Sequence, residues 1–294
     1  MIRDFRYNLT AESAEMTIEQ FLKKRGFSHH VIAGLKRIPE GICLNGVWAY
    51  TTQKLKEGDV LTIHLVELES SPGILPAPVP FDIVYEDQDL MIVNKPPDTP
   101  IHPSQGNYDN TLANGVAHYY AQQGIPYIYR CINRLDRDTT GLLILANHGV
   151  SGAILSTQMM NRQIKRTYRA LVEGHTPLEG TIDAPIARKE GSTIERCVNQ
   201  ESGDRAVTHY RRLSQEISEK NGLPFSRLEL RLETGRTHQI RVHMQSIGHP
   251  LLGDTLYRPE NPFERPHQAL HSYALEFKHP ITLENMRFSV PEPW

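Results

Sequence analysis

The sequence predicts an α+β chain, a mixed, largely antiparallel central sheet preceded by a smaller αβ domain. Three observations predict it. Leu228, Leu230 and Leu232 alternate with Arg227, Glu229 and Arg231, the period of two expected of a strand with one buried face. Short unbroken apolar runs at residues 90–93 and 142–146 have the length and composition of buried strands, while helical patterns are few and interspersed. Residues 67–80 (ELESSPGILPAPVP) hold four prolines and no periodicity. They read as a stiff linker between a domain of residues 1–66 and one of residues 81–294.

In the first domain, Thr17 is placed to cap a helix whose apolar stripe is Ile18, Phe21 and Leu22. Ser28 is placed to cap a second helix over residues 28–36, with Val31, Ile32 and Leu35 inward. Residues 41–44 form a strand that meets the hairpin signal Asn45-Gly46, and residues 55–63 form a turn feeding another strand. In the second domain, Val150, Ile154 and Thr157 suggest a helix between Gly149 and Asn161.

Composition bounds the function. With 39% hydrophobic and 22% charged residues the chain is a soluble globular type, and no apolar run approaches the roughly 20 residues of a membrane helix. The N-terminus lacks an apolar signal core. Cys43, Cys131 and Cys197 are odd in number and far apart, as expected of reduced thiols in a cytoplasmic protein. The formal net charge is -2, but cations gather at Lys23-Lys24-Arg25, at Lys36-Arg37, over residues 162–169 and over residues 227–241. A near-neutral chain binds nucleic acid when its cations share one face; each cluster alone equally suits a solvated surface.

The stretch richest in chemistry is Asn133-Arg134-Leu135-Asp136-Arg137-Asp138-Thr139-Thr140-Gly141. An acidic residue in a polar loop entering an apolar strand is well placed for a site, because the loop is exposed and the strand fixes the carboxylate. An Asx-turn, with Asp136 or Asp138 bonded to nearby backbone N–H groups, explains the same residues. Further motifs follow in order: Tyr85-Glu86-Asp87, Val93-Asn94-Lys95-Pro96, His102-Pro103, Arg166-Thr167-Tyr168-Arg169, Gly235-Arg236-Thr237-His238-Gln239-Ile240-Arg241-Val242-His243, His249-Pro250-Leu251-Leu252-Gly253-Asp254, Gln268-Ala269-Leu270-His271 and Phe277-Lys278-His279-Pro280. Together they resemble the RluA/RluD-type pseudouridine synthases over nearly all of the second domain. Asn133 stands where that family has His, Pro97-Asp98 where it has Gly, and Arg166 where Lys is common. The first domain resembles the RNA-binding domain named after ribosomal small-subunit protein four, through Asn45-Gly46 and Glu57-Gly58-Asp59-Val60.

The resemblance implies an isomerase that turns uridine into pseudouridine in RNA without cofactor or metal. It implies Asp136 as nucleophile, Arg236 as the guanidinium beside it, and Tyr168 as a stacking ring and proton carrier. It also implies Ile240 as an apolar wall and Arg134 as the side chain that fills the gap left by a flipped base. Arg241 is expected to face RNA or the scaffold, as is His243, and Thr237 to cap the helix that follows. Lys23, Lys24, Arg25, Lys36 and Arg37 are expected to touch RNA, large-subunit ribosomal RNA first and transfer RNA second. The protein is expected to be a monomer. Two alternatives differ in class. One is a non-catalytic RNA-binding or ribosome-assembly factor. The other is a metal-dependent hydrolase using Asp136, Asp138 and histidines among His238, His243, His249, His267 and His271. The i, i+4 spacing of His267 and His271 suits a helix face, but Pro262 and Pro266 oppose a long helix there.

Overall fold

The computed structural model describes every residue from Met1 to Trp294. Strand β1 (Ile2–Asn8) leads into helices α1 (Ile18–Lys24) and α2 (His29–Leu35), then strands β2 (Ile42–Leu44), β3 (Val47–Trp48) and β4 (Val60–Val66). The strands form a four-stranded sheet in the order β1-β4-β2-β3. Both caps form as the sequence suggests. The Gln20 N–H donates to Thr17 Oγ1 (3.2 Å) while Thr17 N–H donates to Gln20 Oε1 (2.8 Å), and Val31 N–H donates to Ser28 Oγ (3.3 Å). Asn45 and Gly46 both take positive φ, 53° and 77°, which the tight β2–β3 hairpin requires. Asn45 also accepts from Val60 N–H (2.8 Å) and donates to Asp59 (2.9 Å), so the two matched motifs of this segment are one hydrogen-bonded corner. Strand β1 was not expected from sequence. Phe5 is its one well-buried residue, too little for an alternation to show.

Residues 67–80 do not hang free. Glu67 accepts from Arg130 (2.7 Å) and from Gly149 N–H (3.1 Å), and the Ser70 and Ser71 hydroxyls accept from Tyr127 and Tyr129 N–H. Beyond them come β5 (Asp82–Glu86), β6 (Leu90–Lys95), α3 (Leu112–Gln122), β7 (Thr140–Ala146), α4 (Gly149–Met160), β8 (Lys165–Glu173), β9 (Glu179–Asp183), β10 (Ile186–Arg188), β11 (Arg196–Val198), β12 (Val207–Ile217), β13 (Pro224–Leu232), α5 (Gln239–Ser246), β14 (Leu270–Lys278) and β15 (Asn285–Ser289). Nine strands make one sheet, in the order β5-β6-β7-β14-β8-β13-β12-β9 with β15 beside β14. Every pairing is antiparallel except β7 with β14. The fold is therefore α+β around a mixed, largely antiparallel sheet, as the alternating leucines suggested. Leu228 and Leu230 are fully buried.

The parallel contact explains a motif glycine. Gly141 has φ of 105°, and a Cβ there would lie 2.4 Å from the Ser272 carbonyl oxygen. No other residue lets β7 approach β14 at this point.

The N-terminal sheet is packed against the large one. Val150 of α4 joins its core, and Gly26 sits against Ile154. Arg3 donates to both oxygens of Asp89 (2.8 and 3.2 Å), and His148 Nε2 lies 2.9 Å from the same carboxylate. Burial alone would raise the Asp89 pKa, but His148 and Arg3 outweigh it and hold the carboxyl at about 2. No helix is long and apolar enough to cross a membrane.

Candidate active site

The motif residues converge on a cleft of about 830 Å³. Its floor carries Asp136, on the loop leading into β7. That loop is clamped to the loop after β6. The Lys95 ammonium, fully buried, donates to the carbonyls of Pro96 (2.7 Å), Thr99 (3.0 Å) and Arg137 (2.6 Å). Thr99 N–H donates to the Arg137 carbonyl (3.2 Å), Asp98 N–H to Asp138 Oδ1 (3.1 Å), and Arg137 pairs with Asp98. Burial pushes the Lys95 pKa down to about 7, against the pull of Asp138, Asp136 and Asp98. Asn133 fills the position of the family's His with bonds of its own. It accepts from Ile144 N–H (2.9 Å) and donates to the Leu142 carbonyl (3.3 Å).

The two aspartates of the motif separate here. Asp138 is structural, bonded to Asp98 N–H and 3.2 Å from His267. The Asp136 carboxylate is partly exposed to the cleft, and Arg241 donates to its Oδ2 at 3.2 Å. Asp254, itself 1% exposed, holds Arg241 through two bonds of 2.7 and 2.8 Å. Burial works against the charge on Arg241, but Asp254 and Asp136 together keep its pKa above the ordinary value.

This corrects one assignment. Arg236 lines the cleft, but its guanidinium turns away from Asp136, to Asp204 (3.3 Å) and the Arg205 carbonyl (3.1 Å). The guanidinium at the carboxylate belongs to Arg241, which is 6% exposed and so does not face outward to RNA. The reason is helical geometry: α5 begins after Arg236, so Arg236 sits on the turn outside it while Arg241 projects from its inner face. The cap is corrected too. The residue before α5 is His238, with φ of 56° and no side-chain cap, not Thr237.

Tyr168, on β8, and Ile240, in the first turn of α5, are buried and line the cleft. Arg134 is exposed at its edge and forms no ion pair. The lining holds seven cationic side chains against three carboxylates, so the local charge is positive although the whole chain carries -2. Lys23, Lys24, Arg25, Lys36 and Arg37 are exposed on the N-terminal sheet module and do not reach the cleft. Glu19 pairs with Lys23 (2.7 Å) and Lys36 (3.5 Å).

The histidines considered for a metal are scattered. His243 bonds Thr208 and the Ala184 carbonyl, His249 bonds the Glu173 carbonyl, and His271, on β14 and not on a helix, bonds Thr140. Asp87, Asp89 and His279 present ligand atoms within 4.8 Å of one another. Those atoms are already taken by Tyr85, Arg3, His148 and the Asp89 and Leu90 N–H groups. Sequence reasoning assigned nothing to Asp254, Tyr257 or Lys95. Asp254 and Lys95 stood inside quoted motifs, but only their depth in the fold reveals what they hold.

The profile of the RNA pseudouridylate synthase family matches residues 89–246. The chain belongs to the RluA/RluD-type pseudouridine synthases. It is 40% identical to the uncharacterized RNA pseudouridine synthase YjbO of Bacillus subtilis, over 95% of this chain and 96% of that one. It is 41% identical to ribosomal large subunit pseudouridine synthase D of Zymomonas mobilis, over 82% and 78%. Among solved structures, human RNA pseudouridylate synthase domain containing 1 is similar with a TM-score of 0.61 and 26% identity, covering 73% of this chain and 84% of that chain. The protein is accordingly an RNA pseudouridine synthase, an isomerase acting on RNA.

Proposed function

We propose that this synthase isomerises uridine in structured large-subunit ribosomal RNA, with Asp136 as its nucleophile and the target base flipped into the cleft. The observation that carries the reading is the Asp136 carboxylate on the cleft floor with Arg241 at 3.2 Å. The guanidinium orients the carboxylate, and orientation of the reacting group is what a nucleophile on a cleft floor needs. In this reading an Asp136 oxygen bonds the ribose C1′ as the C1′–N1 bond breaks and its electron pair leaves with uracil. The base turns, C5 bonds C1′ and expels the carboxylate, C5 loses its proton and N1 gains one. Nothing is oxidised or hydrolysed, so one carboxylate suffices where glycoside hydrolysis takes two. RNA seated over the cleft keeps water from the sugar. Tyr168 stacks on the base and carries the C5 proton. Arg134 enters the space that the flipped base leaves, offsetting a cost of about a few kcal/mol.

The substrate rests on softer ground: the printed name of a relative 41% identical, ribosomal large subunit pseudouridine synthase D, supports ribosomal RNA, and transfer RNA is the second candidate. Residues 1–66 serve as the RNA-binding domain, through Lys23, Lys24, Arg25, Lys36 and Arg37, and the enzyme acts as a monomer. The test is Asp136→Asn. It should fold, bind RNA as the wild type does, and form no pseudouridine on chemical mapping of ribosomal and transfer RNA. Product at the wild-type level would falsify the assignment.

A further inference from the structure

His238 lies beside the nucleophile in a conformation that needs explaining. It is a non-glycine residue with φ of 56° and ψ of 19°, at the entry to α5, and its side chain is 11% exposed. The left-handed region is uncommon for residues with a Cβ, and where it persists the surroundings hold it. Here the side chain is held by one hydrogen bond and stands near the carboxylate. Nδ1 is 2.8 Å from the Tyr257 hydroxyl, and Nε2 is 4.0 Å from Asp136 Oδ1. The other carboxylate oxygen, Oδ2, is the one that Arg241 binds.

The Tyr257 hydroxyl decides which nitrogen of His238 carries the proton. It already accepts from Arg196 N–H at 2.9 Å, and Tyr257 is buried. Were Nδ1 the donor, the hydroxyl oxygen would accept twice and its own proton would have no partner. When the hydroxyl donates to Nδ1, both of those groups are satisfied, and the ring proton is left on Nε2, on the side of Asp136. The phenol is well fixed for this. Its ring lies under the Arg241 guanidinium (5.1 Å) and meets the imidazole edge-on (5.7 Å between centroids, 85°).

We infer that His238 is a positioning residue for Asp136, held by Tyr257 in the tautomer with Nε2–H and donating that proton's hydrogen bond to Oδ1 when bound RNA closes the cleft. The carboxylate is then held at both oxygens, by Arg241 on one and His238 on the other, and its plane is fixed toward the ribose. The inference rests on Asp136 being the nucleophile. That reading fails separately, by turnover in Asp136→Asn.

The experiment uses the full-length enzyme and an RNA that it modifies. His238→Asn keeps a residue that tolerates positive φ but is too short to reach Oδ1. It should lower kcat by roughly tenfold to a hundredfold, the scale of a misplaced reacting group, with KM within about twofold of wild type. Tyr257→Phe keeps the ring under Arg241 and removes only the proton that sets the tautomer; it should lower kcat in the same direction by less. Nitrogen-15 NMR of histidine-labelled wild-type enzyme should show His238 Nδ1 as an unprotonated acceptor and Nε2 as the protonated nitrogen, a signature lost in Tyr257→Phe. Three results overturn the inference: a proton on Nδ1 in the wild type, wild-type kcat in His238→Asn while Asp136→Asn is dead, or a rise in KM alone, which marks an RNA contact. Should His238→Asn melt early, the NMR signature and Tyr257→Phe decide on their own.

Discussion

On the floor of the cleft Arg241 is 6% exposed and bonds two carboxylates; at the edge Arg134 is exposed and bonds none. Two arginines in one site thus live under opposite conditions. A buried guanidinium is tolerable only where carboxylates replace its water, so Arg241 and its two carboxylates are assembled before RNA arrives. A rim guanidinium keeps its water and adapts to whatever phosphate it meets. In the proposed reading the floor serves chemistry and the rim capture, and each prediction below strikes one side of that division.

The largest effect belongs to Asp254. Asp254→Ala should leave Arg241 buried with Asp136 as its one carboxylate partner and destabilise the fold by about 3–5 kcal/mol, read from denaturant unfolding. Turnover should fall with it. Replacing the pair together, Arg241→Met with Asp254→Leu, should recover most of the stability and none of the activity. Recovery of activity in the double variant would mean that the floor's charges serve the fold alone.

Lys95 offers a pH test of the same side. Its pKa falls from the ordinary 10.5 to about 7 because burial disfavours its charge. Between those values the unfolded chain binds more protons than the folded one, so stability contributed at this site rises with pH across the window and is flat below about 7. Wild-type stability relative to Lys95→Met should therefore climb from about pH 7 towards about pH 10, measured as paired unfolding midpoints. A difference independent of pH would show that the ammonium keeps its charge by means of the three carbonyls.

What could be read from sequence follows the same line. The α+β class, the caps at Thr17 and Ser28, the Asn45-Gly46 turn and the helix from Gly149 were legible because each is a local pattern with a local cause. Asp136, Tyr168, Ile240 and Arg134 were legible as members of one cleft only through the family resemblance of their motifs, which lie far apart in the chain. Which arginine of Gly235 to His243 meets the carboxylate was not. That depends on where α5 starts, and a helix entered through a left-handed histidine has no sequence signal. Asp254 was illegible for a different reason. It acts across 13 residues of chain separation, through a bond that exists only once the fold is formed.

On the rim, Arg134→Ala should flatten the dependence of log affinity on log salt by roughly 0.7–0.9 if the side chain neutralises one phosphate. Turnover should fall further on structured RNA than on a flexible loop, because only the former leaves a gap to fill. Equal losses on both would remove the gap-filling role and leave Arg134 a phosphate contact.

The smallest effect is expected at Arg236, and it tests the division most directly. Its partners are Asp204, 70% exposed, and a backbone carbonyl, and its own side chain is 42% exposed. Exposed pairs of this kind contribute about 0–1 kcal/mol, so Arg236→Ala should change kcat/KM by at most about fivefold and leave the unfolding midpoint unmoved. Arg241→Lys, which keeps the charge but loses the fork that spans Asp136 and Asp254, should do far more damage. If Arg236→Ala were instead as inert as Asp136→Asn, the guanidinium would have to leave Asp204 and swing onto the floor when RNA binds. The guanidinium that serves the nucleophile would then be brought in by the substrate and not built in advance.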